Sequence, residues 1–161
     1  MSSYRFLTLA SLLAAMAMPS VAKAQNRCLD VPVSIQETID EELLDVNGTP
    51  RVTKAQAVRT RDLSRAHFVS VIMYAPGIED GETLTWLVSG ELTNPGMWLA
   101  ADNVTAAFTF VPYAGDTRVG RVINADGYRE ARACARGAAQ SNRQSLYHPL
   151  VMPGLEPTSE L

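Results

Sequence analysis

Between Ala66 and Ala75 the chain reads AHFVSVIMYA, with apolar residues at nearly every position. Phe68, Ser70, Ile72 and Tyr74 alternate with His67, Val69, Val71 and Met73, and both sets are largely apolar. A run this rich in β-branched and aromatic residues predicts a strand covered on both faces, hence central in a sheet. Pro76-Gly77 ends it, and Glu79-Asp80-Gly81 reads as a polar turn. Alternation from Thr83 to Ser89 predicts the next strand, with Leu84, Trp86 and Val88 on one side. Gly90 to Gly96 reads as a connection with Pro95-Gly96 at the centre of a type II turn, and Met97 to Ala101 as a short third strand. Short links favour antiparallel pairing.

Toward the C-terminus the period changes. Over 126–139, at 100° per residue, Ala131, Cys134, Ala135 and Ala138 share one arc, with Arg129, Arg132, Arg136 and Arg143 opposite. This predicts a helix with Asp126 as N-cap, a small-residue face that lies close on a sheet, and a solvated basic face. Gly137 costs about 1 kcal/mol inside such a helix or else marks its end. Asp102 or Asn103 could cap a short helix from Val104 to Val111, although a fourth strand fits the same residues. Residues 32–44 also read two ways, VPVSIQETI as a strand and QETIDEELL as a helix. Thr53 to Arg65 reads as a weak helix through Ala55, Val58 and Leu63. The segment 141–161, with prolines at 149, 153 and 157, reads as an extended or disordered tail, and its uncharged stretch Leu146 to Leu155 could alternatively dock.

The N-terminal end adds a compartment. Arg5, an uncharged apolar run from Phe6 to Met18, Pro19 and Ala22-Lys23-Ala24 form a signal peptide over 1–24. The apolar run is shorter than the roughly 20 residues that span a bilayer. Cleavage leaves a single domain over 25–140, followed by the tail. In an exported chain Cys28 and Cys134 read as a disulfide, the competing reading being free thiols or metal ligands. The fold class is therefore α+β: a small antiparallel sheet with one clear packed helix, stapled by that disulfide.

Charge narrows the partners. The chain carries a net −3, and −5 once Arg5 and Lys23 are removed, which argues against nucleic acid and anionic membranes. The charge runs in blocks: acidic over 29–50, basic over 51–65, acidic over 66–117, and arginine-rich over 118–143. Complementary packing of these blocks within the domain explains the layout; a steering surface for a charged partner is the other reading.

The catalytic inventory is thin. Two histidines, His67 and His148, with two oxidised cysteines do not supply a mononuclear metal site. There is no Gly-x-Ser-x-Gly elbow and no glycine-rich phosphate loop. Asn124-Ala125-Asp126-Gly127 lacks a calcium loop's first and twelfth ligands, and Glu79, Asp80 and Glu82 sit in a turn rather than a cleft. No cofactor is expected. The aromatics could bind: Trp86 aligns with Leu84 and Val88 and reads as core, whereas Trp98, with Ala100 and Asp102, and Tyr113 could be exposed.

The run HFVSVIMYAPGIEDGETLTWLVSGELTNPGMWLAADNVTAAF, followed by ADGYREARACA, resembles a pattern in small uncharacterised exported bacterial proteins. The resemblance covers about 67–136 and implies export and an α+β domain, with no activity and no catalytic residues attached. The expectation is a non-enzymatic binding domain of the cell envelope or secreted fraction, with no membrane span after signal cleavage and a protein or envelope component as partner. The alternatives are a carbohydrate-binding module using exposed aromatics and, more weakly, a small secreted hydrolase. Candidate contacts are Trp98, Tyr113, Arg129, Arg132 and Arg136.

Overall fold

A computed structural model describes residues 27–45 and 48–146. The fold is α+β, as expected. Six strands form one antiparallel sheet: β1 (Leu29–Asp30), β2 (Arg51–Val52), β3 (Gln56–Arg59), β4 (Ala66–Ala75), β5 (Ile78–Glu91) and β6 (Asn94–Ala100). Their order is β1-β3-β4-β5-β6, with β2 paired to the far end of β4. Among the described residues the sheet is joined by three α-helices, α1 (Val33–Glu42), α2 (Asn103–Phe108) and α3 (Tyr128–Leu146), and by a short 3-10 turn at Ala114–Asp116. The segment 1–24, expected as a signal peptide, and residues 147–161 lie outside the described residues. Among the described residues no helix is long and apolar enough to cross a membrane.

The two apolar faces of β4 explain the layering. Val69, Val71 and Met73, with Leu84, Trp86 and Val88 of β5, pack beneath α1, whose Ile35 and Ile39 are fully buried. On the other face Phe68, Leu87, Leu99 and Val58 pack against Ala131 and Cys134 of α3, and Ile72 meets Ala135 and Ala139. The small residues of α3 let its backbone lie close to the sheet, so larger side chains there would overpack the interface. Full burial of side chains such as Trp86 and Phe68 contributes about 1.5–3 kcal/mol each.

Several local expectations change. The β4–β5 reversal sits at Pro76-Gly77, where Ala75 pairs with Ile78, and Glu79-Asp80-Gly81 lies inside β5 rather than in a turn. The β5–β6 reversal is Leu92-Thr93, since Glu91 pairs with Asn94, so Pro95 and Gly96 belong to β6. Sheet twist favours a two-residue reversal between strands over a longer type II link. Residues 55–58 are buried in and beside a strand, not a helix, because β3 is covered on both faces and shows no alternation. Residues 33–42 resolve as a helix, and 103–108 as a helix capped by Asp102. α3 continues through 141–146, where an extended tail is expected, because no proline intervenes before Pro149 and Gly137 sits exposed without strain.

The N-terminal segment is clamped onto α3. Cys28 and Cys134 form the disulfide, with Cα atoms 5.7 Å apart and a sequence separation of 106. Beside it, Arg27 Nη1 and Nη2 donate to the two carboxylate oxygens of Asp126 at 3.0 and 2.7 Å, and Nη2 donates to the Arg59 carbonyl at 2.8 Å. Asp126 is thus not the helix N-cap: its carboxylate is spent on Arg27 and on the Arg61 N–H, and the first α3 hydrogen bond ends on the Gly127 carbonyl. The guanidinium of Arg27 holds the Asp126 carboxyl below its usual range.

Closing so long a loop constrains the unfolded chain by about 4–5 kcal/mol in the chain-entropy account. The Cys28→Ala/Cys134→Ala variant is therefore expected to lose about 3–5 kcal/mol in urea unfolding at pH 7. His67 is buried within β4, and burial pushes its pKa below the ordinary value of 6.5. The unfolded chain takes up that proton before the folded one, so His67 costs nothing above pH 6.5 and lowers stability as the pH falls beneath it. The urea midpoint of the wild type is expected to drop between pH 7.5 and 5.5, and that of His67→Leu to drop less.

Candidate functional site

The C-terminal end of β6 delivers Asp102 into the interior, where its carboxylate is nearly buried. An unpaired charge there would be costly, so its partners define the site. Oδ1 accepts from the Thr105 N–H at 2.7 Å and from the Thr105 hydroxyl at 2.8 Å, forming the α2 cap. Oδ2 accepts from the Tyr128 hydroxyl at 2.6 Å and from Arg132 Nη1 at 3.0 Å, both on α3. Arg132 Nη1 also donates to the Thr83 carbonyl at 3.0 Å, and the Thr105 hydroxyl oxygen accepts from the Thr85 N–H at 2.8 Å. One carboxylate therefore joins β5, β6, α2 and α3. Arg132 additionally lies 5.6 Å from the Tyr128 ring centroid. Burial, then the hydrogen bond to Asp102, pushes the Tyr128 phenol up to about 12.

A cleft of about 420 Å³ opens beside this network, lined by Asp102, Asn103, Val104, Tyr113, Arg121, Ile123, Asn124, Tyr128 and Arg129. The walls come from four places: the start of α2, the bridge residue Tyr113, the 121–124 loop and the first turn of α3. Tyr113 is fixed by a bridge to Ala100, and its ring lies so close to Gly115 that a Cβ there would overlap it. Among the described residues the side chains of Asn103, Tyr113, Arg121, Asn124 and Arg129 make no hydrogen bond or ion pair. Asp102 and Tyr128 are thus satisfied internally, while the other polar heads of the cleft are unspent among the described residues.

Tyr113 and Arg129, two of the residues singled out in the sequence, meet in this cleft. Trp98 does not join them: it is half-buried against the cluster that contains Trp86, on the α1 side of the sheet. Trp86 is fully buried, in agreement with its alternation. Arg129, Arg132 and Arg136 line a larger groove of about 690 Å³ along α3. Two of the three are engaged there: Arg132 turns inward to Asp102, and Arg136 Nε donates to the Thr83 hydroxyl at 3.2 Å. The expected solvated basic face is thus partly a structural lattice, because arginine stems reach back from the rim of α3 onto β5. That groove is bordered almost wholly by one helix, so the α2–α3 cleft converges better on a small ligand.

Arg121, Asn103 and Asn124 escape sequence reasoning, since they lie in loop or at a helix start without any period to mark them. No grouping of three or more potential metal ligands occurs among the described residues. No protein-family model, curated protein or solved structure matches the chain.

Alkaline titration followed at 295 nm should show a tyrosine step near pH 12, and Tyr128→Phe should remove it. Asp102→Asn, which leaves Arg132 facing a neutral partner, should cost about 3 kcal/mol in urea unfolding.

Proposed function

We propose that the protein is an exported, non-enzymatic binding domain of the cell envelope or secreted fraction, and that it takes its ligand in the α2–α3 cleft. One observation supports this reading: five polar side chains from four segments converge on one cleft with no hydrogen-bond or ion-pair partner among the described residues. Preorganised, unsatisfied hydrogen-bonding groups around a concave surface are what ligand recognition needs. The volume, about 420 Å³, falls within the common range of small-molecule sites, about 300–1,000 Å³. The disulfide supports export, because such bonds persist in oxidising compartments.

Binding is favoured over hydrolysis by the state of Asp102. It is the one carboxylate lining the cleft, and four hydrogen bonds already occupy its oxygens. A general base must be free to take a proton from substrate or water. The carbohydrate-binding reading keeps Tyr113, whose ring is positioned at the cleft, and loses Trp98, which packs on the core.

Purified mature protein is expected to co-sediment with insoluble envelope material such as peptidoglycan. Arg121→Glu/Arg129→Glu should release it, with an unchanged melting temperature because neither arginine has a hydrogen-bond or ion-pair partner among the described residues. A wild type that stays in the supernatant with every envelope fraction would count against the reading.

A further inference from the structure

Resting on that reading of the cleft, we infer that its ligand is an acidic sugar: a carboxylate carried on a hydroxylated ring. The argument starts from charge. The chain is net −3, yet the cleft holds Arg121 and Arg129 at its rim, and its single carboxylate is offset by Arg132. Complementary packing consumes several of the other charges: Lys54 pairs with Asp30 at 2.9 Å, and Arg132 approaches Glu82 as well as Asp102. Arg121 and Arg129 make no such pair among the described residues, and both line this one cavity. Positive potential at one place on an acidic protein selects an anion there and repels it elsewhere.

The remaining groups select the kind of anion. Guanidinium forks match a planar carboxylate through paired N–H donors. The Asn103 and Asn124 amides each offer a donor and an acceptor, the combination that reads hydroxyl groups. Tyr113, held against Gly115, offers a ring edge or face with a free hydroxyl, suited to the C–H face of a sugar. Val104 and Ile123, both partly exposed, add a small apolar border that a bare inorganic anion would not use. A phosphate would satisfy the arginines and leave the amides, the phenol and the aliphatic rim without partners.

The test uses the oxidised, signal-free protein and amide-resolved NMR titration with D-glucuronate, methyl glucoside, acetate and inorganic phosphate. Glucuronate is expected to shift the amides of Tyr113, Arg121, Asn124 and Arg129 saturably, with each other probe at least tenfold weaker. Arg121→Gln and Arg129→Gln should each weaken glucuronate about tenfold and leave the melting temperature unchanged. Absence of saturable shifts with glucuronate overturns the inference, as does equal binding of phosphate or acetate. Equal binding of methyl glucoside overturns the carboxylate requirement while leaving the cleft as a sugar site. Shifts confined to the groove along α3 overturn the cleft itself. Envelope co-sedimentation that persists while the probes fail at the cleft shows that the ligand class, and not the binding role, was misassigned.

Discussion

A carboxylate brought out of water must be matched atom by atom, and Asp102 is where this protein meets that demand. Its two oxygens face different elements: one caps α2 through Thr105, the other takes hydrogen bonds from Tyr128 and Arg132 of α3. Thr105 then passes the connection to the β5 backbone, and Arg132 reaches the Thr83 carbonyl. Each partner is useful only if every other element is in place, so the network fixes the relative positions of β5, β6, α2 and α3. The candidate cleft inherits its shape from that fixation, because Asp102 and Tyr128 form part of its wall.

The same end of α3 is also held by covalent and ionic clamps. The Cys28–Cys134 bond and the Arg27–Asp126 pair anchor the start of the domain to the first two turns of the helix. Along α3 the contact with the sheet is made mainly by Ala131, Cys134, Ala135 and Ala139, small side chains that allow close approach, with Tyr128 edge-on to Phe68. α1 serves the other face with larger side chains, Ile35 and Ile39, over the Trp86 cluster. The sheet thus has one face packed by volume and one by proximity, and the polar network lies on the second, where a helix is near enough for Arg132 to reach the β5 backbone.

The charge blocks along the chain find much of their explanation in this arrangement. Basic residues of 51–65 and 118–136 meet acids of the preceding blocks, as Lys54 does with Asp30 and Arg132 with Asp102. Arg121 and Arg129 are not consumed in this way, and they stand beside Tyr113, Asn103 and Asn124. Structural complementarity and a binding surface are therefore successive layers of one charge pattern: what the fold leaves unpaired is what the cleft presents.

Periodicity determined the central strand, the side of Trp86 and the small-residue face of α3, and the count of two cysteines pointed to the Cys28–Cys134 bridge. Each depends on a repeating pattern or on a pairing without competitors. Tertiary structure decided the rest. The exact reversals moved to Pro76-Gly77 and Leu92-Thr93 because cross-strand pairing, not turn propensity, fixes register. Residues 56–59 became a strand because burial on both faces erases the alternation that would have marked it. Asp126 exchanged a capping role for Arg27, a partner 99 residues away. The cleft was legible only in fragments, Tyr113 and Arg129, since Asn103, Arg121 and Asn124 come from segments that no sequence period connects. Their convergence is a property of how α2, the 121–124 loop and α3 are held around one buried carboxylate, and that contact exists only in three dimensions.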